Sequence, residues 1–285
     1  MADYKYSTAE LMAVTCSYEL KDQELVFVGV GIPMMAGLLA NKTHARNMII
    51  VYEGGGMGAI SRRLAFTISD NSTTDNALSA GEMWRVFADT QRGLVDTGVL
   101  GGAQIDKYGN LNTTAIIGDK TYQEPATRLP GSGGGNDIAS LCGKTIIVMR
   151  LGKSRFVSKV DYITSTGYVA GGDSREKSGL KWGGPCCVVT DKCVLRFDKT
   201  SREMYLDAVY PGVTVEEVKD NVQWDLKTAD NIIQIPPPPM DYLEKIRKMD
   251  PNGIILGGKT ITQKESFDDF YHKMKKSYQE TDIFL

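Results

Sequence analysis

The sequence is short of the residues on which most metal and triad chemistry depends. It holds only two histidines, His44 and His272, far apart in the chain. A metal site or a histidine-based triad is therefore poorly supplied, and His44 reads as a loop or helix-end residue. The five cysteines, Cys16, Cys142, Cys186, Cys187 and Cys193, are odd in number and lack zinc-ligand spacing. They read as reduced, mostly buried thiols. Cys186 and Cys187 are adjacent, so in an extended segment their side chains are expected on opposite faces. No apolar run approaches the ~20 residues that span a bilayer. Met1 to Tyr6 carry polar and charged side chains where a secretory leader needs an apolar core. A cytoplasmic chain with no membrane contact and no bound metal is the expectation. Positive charge is not in excess either. The net charge is −2 and no long basic run occurs, which removes the electrostatic case for nucleic acid. Lys273, Lys275 and Lys276 read as a solvated helix face.

What is present points to an α/β fold. Ser7-Thr8-Ala9-Glu10 fits a capping box, followed by a helical stripe through Leu11, Val14 and Tyr18. Glu24 to Val30 is a short apolar run that reads as a buried strand. Gly31-Ile32-Pro33 turns into a helix, with Pro33 suited to its first turn. Met48 to Tyr52 is a second buried strand. A strand–helix–strand unit implies parallel pairing, and open sheets of this kind bind ligands at the carboxyl edge of their strands. Glu53 lies at that edge, followed by Gly54, Gly55, Gly56 and Gly58.

Further strands are expected at Gly98–Asp106, after the turn Tyr108–Asn112, and at Thr145–Met149. A loop over Pro130–Asp137 leads into a short helix. Val188–Thr190 and Val194–Phe197 suggest a hairpin around Asp191-Lys192, with Tyr205–Val209 beside it. Thr214 caps a helix to Asn221, and Pro236 to Pro239 is a stiff extended segment before C-terminal helices near 241–248 and 264–278. No repeat or clear linker is visible. One domain over 1–285 is expected, an open, mostly parallel sheet with flanking helices and a C-terminal helical extension from about 236.

A carboxylate among glycines has two readings. On residue chemistry alone, Glu53 reads first as a surface acid in a flexible turn. The second reading is a nucleophile, since carboxylates do form covalent intermediates. Attack on a thioester carbonyl creates an oxyanion that needs backbone N–H donors. Gly133-Gly134-Gly135, entering a helix at Asn136-Asp137-Ile138, is a candidate for that duty; a phosphate-binding turn or a plain loop is the alternative. It matches neither the Walker pattern nor the dinucleotide fingerprint.

Several segments, taken in order, resemble the class I coenzyme A transferases. They are Ile50-Val51-Tyr52-Glu53-Gly54-Gly55, the run from Gly101 to Asn112, the run from Gly131 to Ala139, and Tyr210 to Thr214 with Trp224-Asp225-Leu226 after it. The likeness is strongest to the B (β) subunit of glutaconate CoA-transferase. It implies transfer of coenzyme A between an acyl-CoA and a small mono- or dicarboxylic acid, through an acyl–glutamyl anhydride and a glutamyl-CoA thioester. It makes Glu53 the nucleophile, puts Gly133, Gly134 and Gly135 in the loop that contacts the oxyanion, and places Gly54, Asn110 and Asn112 near the substrate. It implies no tightly bound cofactor, the coenzyme A thioester being a substrate. It also implies a separate A (α) subunit in a hetero-oligomer of αβ units. One departure is clear: the family carries a polar residue after the glutamate, whereas here Gly54 follows and offers no side-chain hydrogen bond. The segment Arg62–Trp84 is expected to bear on selectivity, with Arg155 and Lys159 as candidate anchors for a dicarboxylate or as plain surface charges. Two other functions share this fold: opening a carbocyclic ring of a CoA thioester by water, and a non-catalytic subunit whose partner holds the chemistry.

Overall fold

The computed structural model describes residues 4–61, 63–180, 182–257 and 266–279. Its contacts divide the chain into two compact units, Met1–Phe87 with Pro237–Leu285, and Ala88–Pro236.

The first unit opens with α1 (Thr8–Tyr18). Its capping box forms as the sequence implies: Ser7 Oγ accepts from the Glu10 amide, and the Glu10 carboxylate accepts from the Ser7 amide at 2.7 Å. The expected one-sided stripe is not what forms. Every residue from Glu10 to Ser17 is buried, because α1 packs against both α2 (Ile32–Asn41) and the C-terminal α7 (Met240–Met249). A helix covered on several sides needs no polar face. The buried Glu10 is tolerated because Arg247 of α7 donates to it at 2.7 Å. The segment from Pro237 onward is thus part of this unit's core, with Leu243 and Ile246 buried.

Strand β1 (Leu25–Val28) feeds α2, which starts at Gly31 (φ +103) with Pro33 in its first turn. Strand β2 (Ile49–Val51) then pairs with β1 in parallel, Phe27 opposite Val51. Both strands end at one edge, where α2 begins. Two short antiparallel strands, β3 (Gly56–Met57) and β4 (Ser79–Ala80), extend this sheet in the order β1-β2-β3-β4. Helix α3 (Met83–Gln91) spans the boundary between the units.

The second unit is built on β5 (Thr97–Leu100), β10 (Lys144–Val148) and β11 (Pro185–Val189), all parallel. Between β5 and β10 the chain makes hairpins β6 (Gln104–Ile105)–β7 (Leu111–Asn112) and β8 (Ala115–Ile116)–β9 (Thr127–Arg128), then α4 (Gly135–Leu141). The short α5 (Ser174–Lys177) precedes β11. The expected hairpin forms, with β12 (Cys193–Phe197) antiparallel to β11 and β13 (Met204–Val209) antiparallel to β12. Helix α6 (Val215–Asp220), capped by Thr214, crosses to β14 (Lys227–Gln234), parallel to β13. Strand order is β14-β13-β12-β11-β10-β5. Ile105, Ile147, Phe156, Val188, Leu195 and Leu206 form its core. The α/β architecture, parallel strands with flanking helices, is the one the sequence implies. Helix α8 (Phe267–Gln279) lies within the last expected helical segment, whose start at 264 is outside the described residues.

None of the five cysteines is in a disulfide, and Cys186 alone is only half-buried. Burial pushes the Cys142 and Cys193 thiols up to about 12. Cys186 and Cys187 do not sit on opposite faces. The β10–β11 register passes from Thr145–Pro185 to Ile146–Cys187, so Cys186 is an inserted residue, and the two Sγ atoms are 4.0 Å apart. A bulge of this kind breaks the alternation of a regular strand.

Candidate active site

Glu53 sits in a tight turn. The Tyr52 amide donates to the Gly56 carbonyl at 2.8 Å, and the Gly55 amide donates to the Tyr52 carbonyl at 3.0 Å. Glu53 and Gly54 are the two central residues of that turn, between parallel strand β2 and antiparallel strand β3. The glutamate is half-buried. Tyr52, just before it, is buried, and burial raises its hydroxyl pKa while a hydrogen bond with Ser61 opposes the rise.

The glycines here are not a flexible tether. A β-carbon on Gly54 would lie 2.6 Å from the Ile68 carbonyl oxygen, and one on Gly56 would lie 1.8 Å from that of Thr73. Gly55 has φ +113, and its carbonyl accepts from the Gly81 amide at 3.1 Å. Three successive glycines are therefore covered by the backbone of the segment from Ile68 to Gly81. Side chains would keep that segment away, which is the physical reason for Gly-Gly-Gly at this place.

A buried ion pair holds the covering segment. Arg63 donates through Nη1 to Asp70 Oδ2 at 2.8 Å and through Nη2 to Oδ1. It also donates to the Leu64 carbonyl at 3.0 Å. Asp70 accepts in addition from the amides of Phe66 and Ser72. Burial alone would raise the Asp70 pKa, but the guanidinium and the two amides outweigh it and hold the carboxyl below its ordinary value. Sequence reasoning missed this clamp. Its only signal is an arginine and an aspartate seven positions apart in an otherwise turn-rich stretch.

In the second unit, Gly134 caps α4, and Gly133 has φ +48. The Gly135 amide donates to the Ser132 carbonyl at 2.8 Å, and a β-carbon on Gly135 would meet Ser165 Oγ at 3.1 Å. The loop belongs to the carboxyl edge of this unit's parallel strands, since α4 carries the chain from there back to the start of β10.

Asn110 and Asn112 are fully buried, and each is engaged within the protein. The Asn110 amide group donates to Asp106 and to the Val169 carbonyl, and its oxygen accepts from the Gly167 and Val169 amides. The Asn112 amide group donates to Gln104 and the Ala115 carbonyl, and its oxygen accepts from the Thr114 and Ala115 amides. These bonds use the donors and acceptors an asparagine has, so both residues hold loops in shape. Arg155 and Lys159 are exposed. Glu53 and Gly54 belong to the first unit, and Asn110, Asn112 and Gly133–Gly135 to the second. Among the described residues, no group of histidine, cysteine or acidic side chains is placed to hold a metal, and no helix is long and apolar enough to cross a membrane.

A half-buried glutamate in a tight turn after a parallel strand is the setting in which comparison with known proteins places this chain. The coenzyme A transferase family model matches residues 9–221, a span that includes the glutamate turn, both asparagines and the glycine loop. The chain belongs to the coenzyme A transferase family. It is 37% identical over 248 residues to the B subunit of the 3-oxoadipate CoA-transferase of Pseudomonas knackmussii, covering 86% of this chain and 94% of that one. It is also 37% identical over 248 residues to the B subunit of the glutaconate CoA-transferase of Acidaminococcus fermentans, covering 84% and 91%. The crystal structure of the Acidaminococcus fermentans glutaconate coenzyme A-transferase superposes with a TM-score of 0.83 at 33% identity, over 88% of this chain and 98% of that one.

Proposed function

We propose that this chain is the B-type half of a two-subunit coenzyme A transferase, with Glu53 as the nucleophile that carries coenzyme A between two carboxylic acids. The observation that carries this reading is the position of Glu53, at the centre of a tight turn that ends a parallel strand, in a chain of this family. Two relatives named as B subunits support the need for an A-type partner.

The reaction follows from carboxylate chemistry. The Glu53 carboxylate attacks the thioester carbonyl, and the tetrahedral oxyanion collapses to expel the coenzyme A thiolate, leaving an acyl–glutamyl anhydride. The thiolate then attacks the glutamyl carbonyl and expels the first acid as its carboxylate. The resulting glutamyl-CoA thioester is attacked by the incoming carboxylate, and the same steps in reverse return Glu53 and release the new acyl-CoA. No step needs a metal or a redox cofactor.

The loop Gly133–Gly135, with the Gly135 N–H held by the Ser132 carbonyl, forms a fixed turn at the start of α4. Asn110 and Asn112 act as positioning residues for the surrounding loops. The acids are small carboxylic acids such as those in the relatives' names. Five cysteines, none in a disulfide, fit a cytoplasmic complex.

The test is a half-reaction in the complex with its A-type partner, run without an acceptor acid. Transfer predicts that each site releases one free acid while the coenzyme A stays on the protein. Hydrolysis releases free thiol together with the acid, and that result overturns the reading.

A further inference from the structure

The second unit holds a cavity of about 620 Å³ at the amino edge of its parallel strands. Trp182 and Gly183 line it just before β11, and Lys199, Thr200 and Arg202 line it from the turn that joins β12 to β13. That turn lies at the start of β11, because β12 runs antiparallel with Arg196 opposite Cys187. The Gly133–Gly135 loop belongs to the other edge. Helix α4 carries the chain from that loop to Leu141, roughly 10 Å along its axis. The Leu141 carbonyl accepts from the Trp182 indole N–H at 2.8 Å.

The walls are fixed from within the chain. The Asp198 carboxylate accepts from the amides of Thr200 and Ser201 at 3.0 and 2.6 Å, and from the Ser201 hydroxyl at 2.9 Å. The Arg202 amide donates to the Asp198 carbonyl at 3.0 Å. Arg202 is held at φ +61, a conformation that costs energy in a residue with a side chain. Its guanidinium lies over the Tyr168 ring, 5.0 Å from the centroid. The Gly172 amide donates to the Ser201 carbonyl at 3.0 Å and ties the opposite wall to the turn. Trp182 is anchored by its indole bond, yet it is 41% exposed.

The lining carries an excess of positive charge. Arg175 is buried, and its guanidinium donates to the carbonyls of Trp182, Thr166, Gly167 and Ala139, with no carboxylate among these partners. Among the described residues, Lys199 and Arg202 form no ion pair. Asp173 is paired with Lys177 at 2.9 Å, which leaves Glu176 against three cations of the lining. A buried cation without a counter-charge is costly, and an anion in the cavity would offset that cost.

An exposed aromatic ring beside fixed cations suits a base joined to a phosphate. Bases stack on aromatic side chains, and Arg and Lys take phosphate oxygens. The cavity is of a size that holds small molecules. We propose that it binds a nucleoside phosphate, the base on Trp182 and the phosphates on Lys199 and Arg202, at a site separate from the transfer centre. The proposal does not depend on the role of Glu53.

The test measures binding of ADP to the complex with its A-type partner by calorimetry, with inorganic phosphate as a second probe. The expected result is one saturable site per B-type chain, bound more tightly by ADP than by inorganic phosphate. Trp182→Ala weakens ADP binding about tenfold, and Trp182→Phe keeps most of the affinity. Lys199 is exposed, so Lys199→Ala tests the phosphate contact in a folded chain, again with weaker binding expected. The KM for acyl-CoA stays unchanged at ADP concentrations that fill the site. Absence of saturable ADP binding overturns the proposal, and so does binding that Trp182→Ala and Lys199→Ala leave unchanged. A competitive rise in the KM for acyl-CoA, relieved in Trp182→Ala, also overturns it, because the cavity would then hold the nucleotide end of the substrate.

Discussion

A β-carbon built on Gly55 lies 1.9 Å from the Gly81 carbonyl oxygen, a separation no unbonded pair of atoms sustains. Gly55 also has φ +113. Gly55→Ala must therefore both strain its backbone and push β4 and α3 away from the glutamate turn. The expected cost is at least about 2 kcal/mol by denaturant unfolding, with transfer activity falling alongside. A variant as stable and active as the wild type would show that the two segments do not meet.

Gly54 presents the same constraint without the backbone strain. A polar side chain introduced as Gly54→Asn would place its β-carbon 2.6 Å from the Ile68 carbonyl oxygen. The expected outcome is lower kcat and lower thermal stability, as the loop around Ile68 is displaced. Higher activity in Gly54→Asn would contradict this packing.

The Arg63–Asp70 pair keeps that loop in place. Both side chains are close to fully buried, with relative exposures of 10% and 5%. Arg63→Ala leaves the Asp70 carboxylate buried without its guanidinium, at an expected cost of about 3 kcal/mol. The pH dependence has a definite sign. Asp70 titrates below the ordinary aspartate value of 3.8. Its contribution is fully present above that pH and is lost as the pH falls through the lower folded value. The stability gap between wild type and Arg63→Ala should therefore be constant from neutral pH down to that range, then narrow. A gap that widens on acidification would contradict the assignment.

Asn112 separates structure from substrate contact. Its side chain serves Gln104, Ala115 and Thr114. Asn112→Ala is expected to lose about 2 kcal/mol of stability, without changing the relative kcat/KM among acyl-CoA donors. A donor-specific loss would place Asn112 against the substrate.

Much of the fold was legible because its signals are local. The capping box at Ser7 and Glu10, Pro33 in the first turn of α2, and the apolar runs of β1, β2 and β10 each specify their element within a few residues. The helix α3 and the long strand β14 were not anticipated. Met83–Gln91 does carry an amphipathic pattern at helical spacing that went unassigned, whereas Lys227–Gln234 is largely exposed and has no buried alternation. For the site, Glu53 stood out through its place after β2. The role of its glycines did not, because it depends on backbone from Ile68, Thr73 and Gly81, brought there by the fold. Asn110 and Asn112 drew attention as family residues, yet only the structure shows that their hydrogen bonds are turned inward.

The central claim is tested most directly on Glu53 itself. The complex with its A-type partner is incubated with acyl-CoA and reduced with borohydride, and the modified residue is mapped by mass spectrometry. Reduction of the glutamyl thioester should convert Glu53 to the corresponding alcohol, with no such product in Glu53→Gln and no transfer by that variant. An unmodified Glu53, together with full transfer by Glu53→Ala, would contradict it.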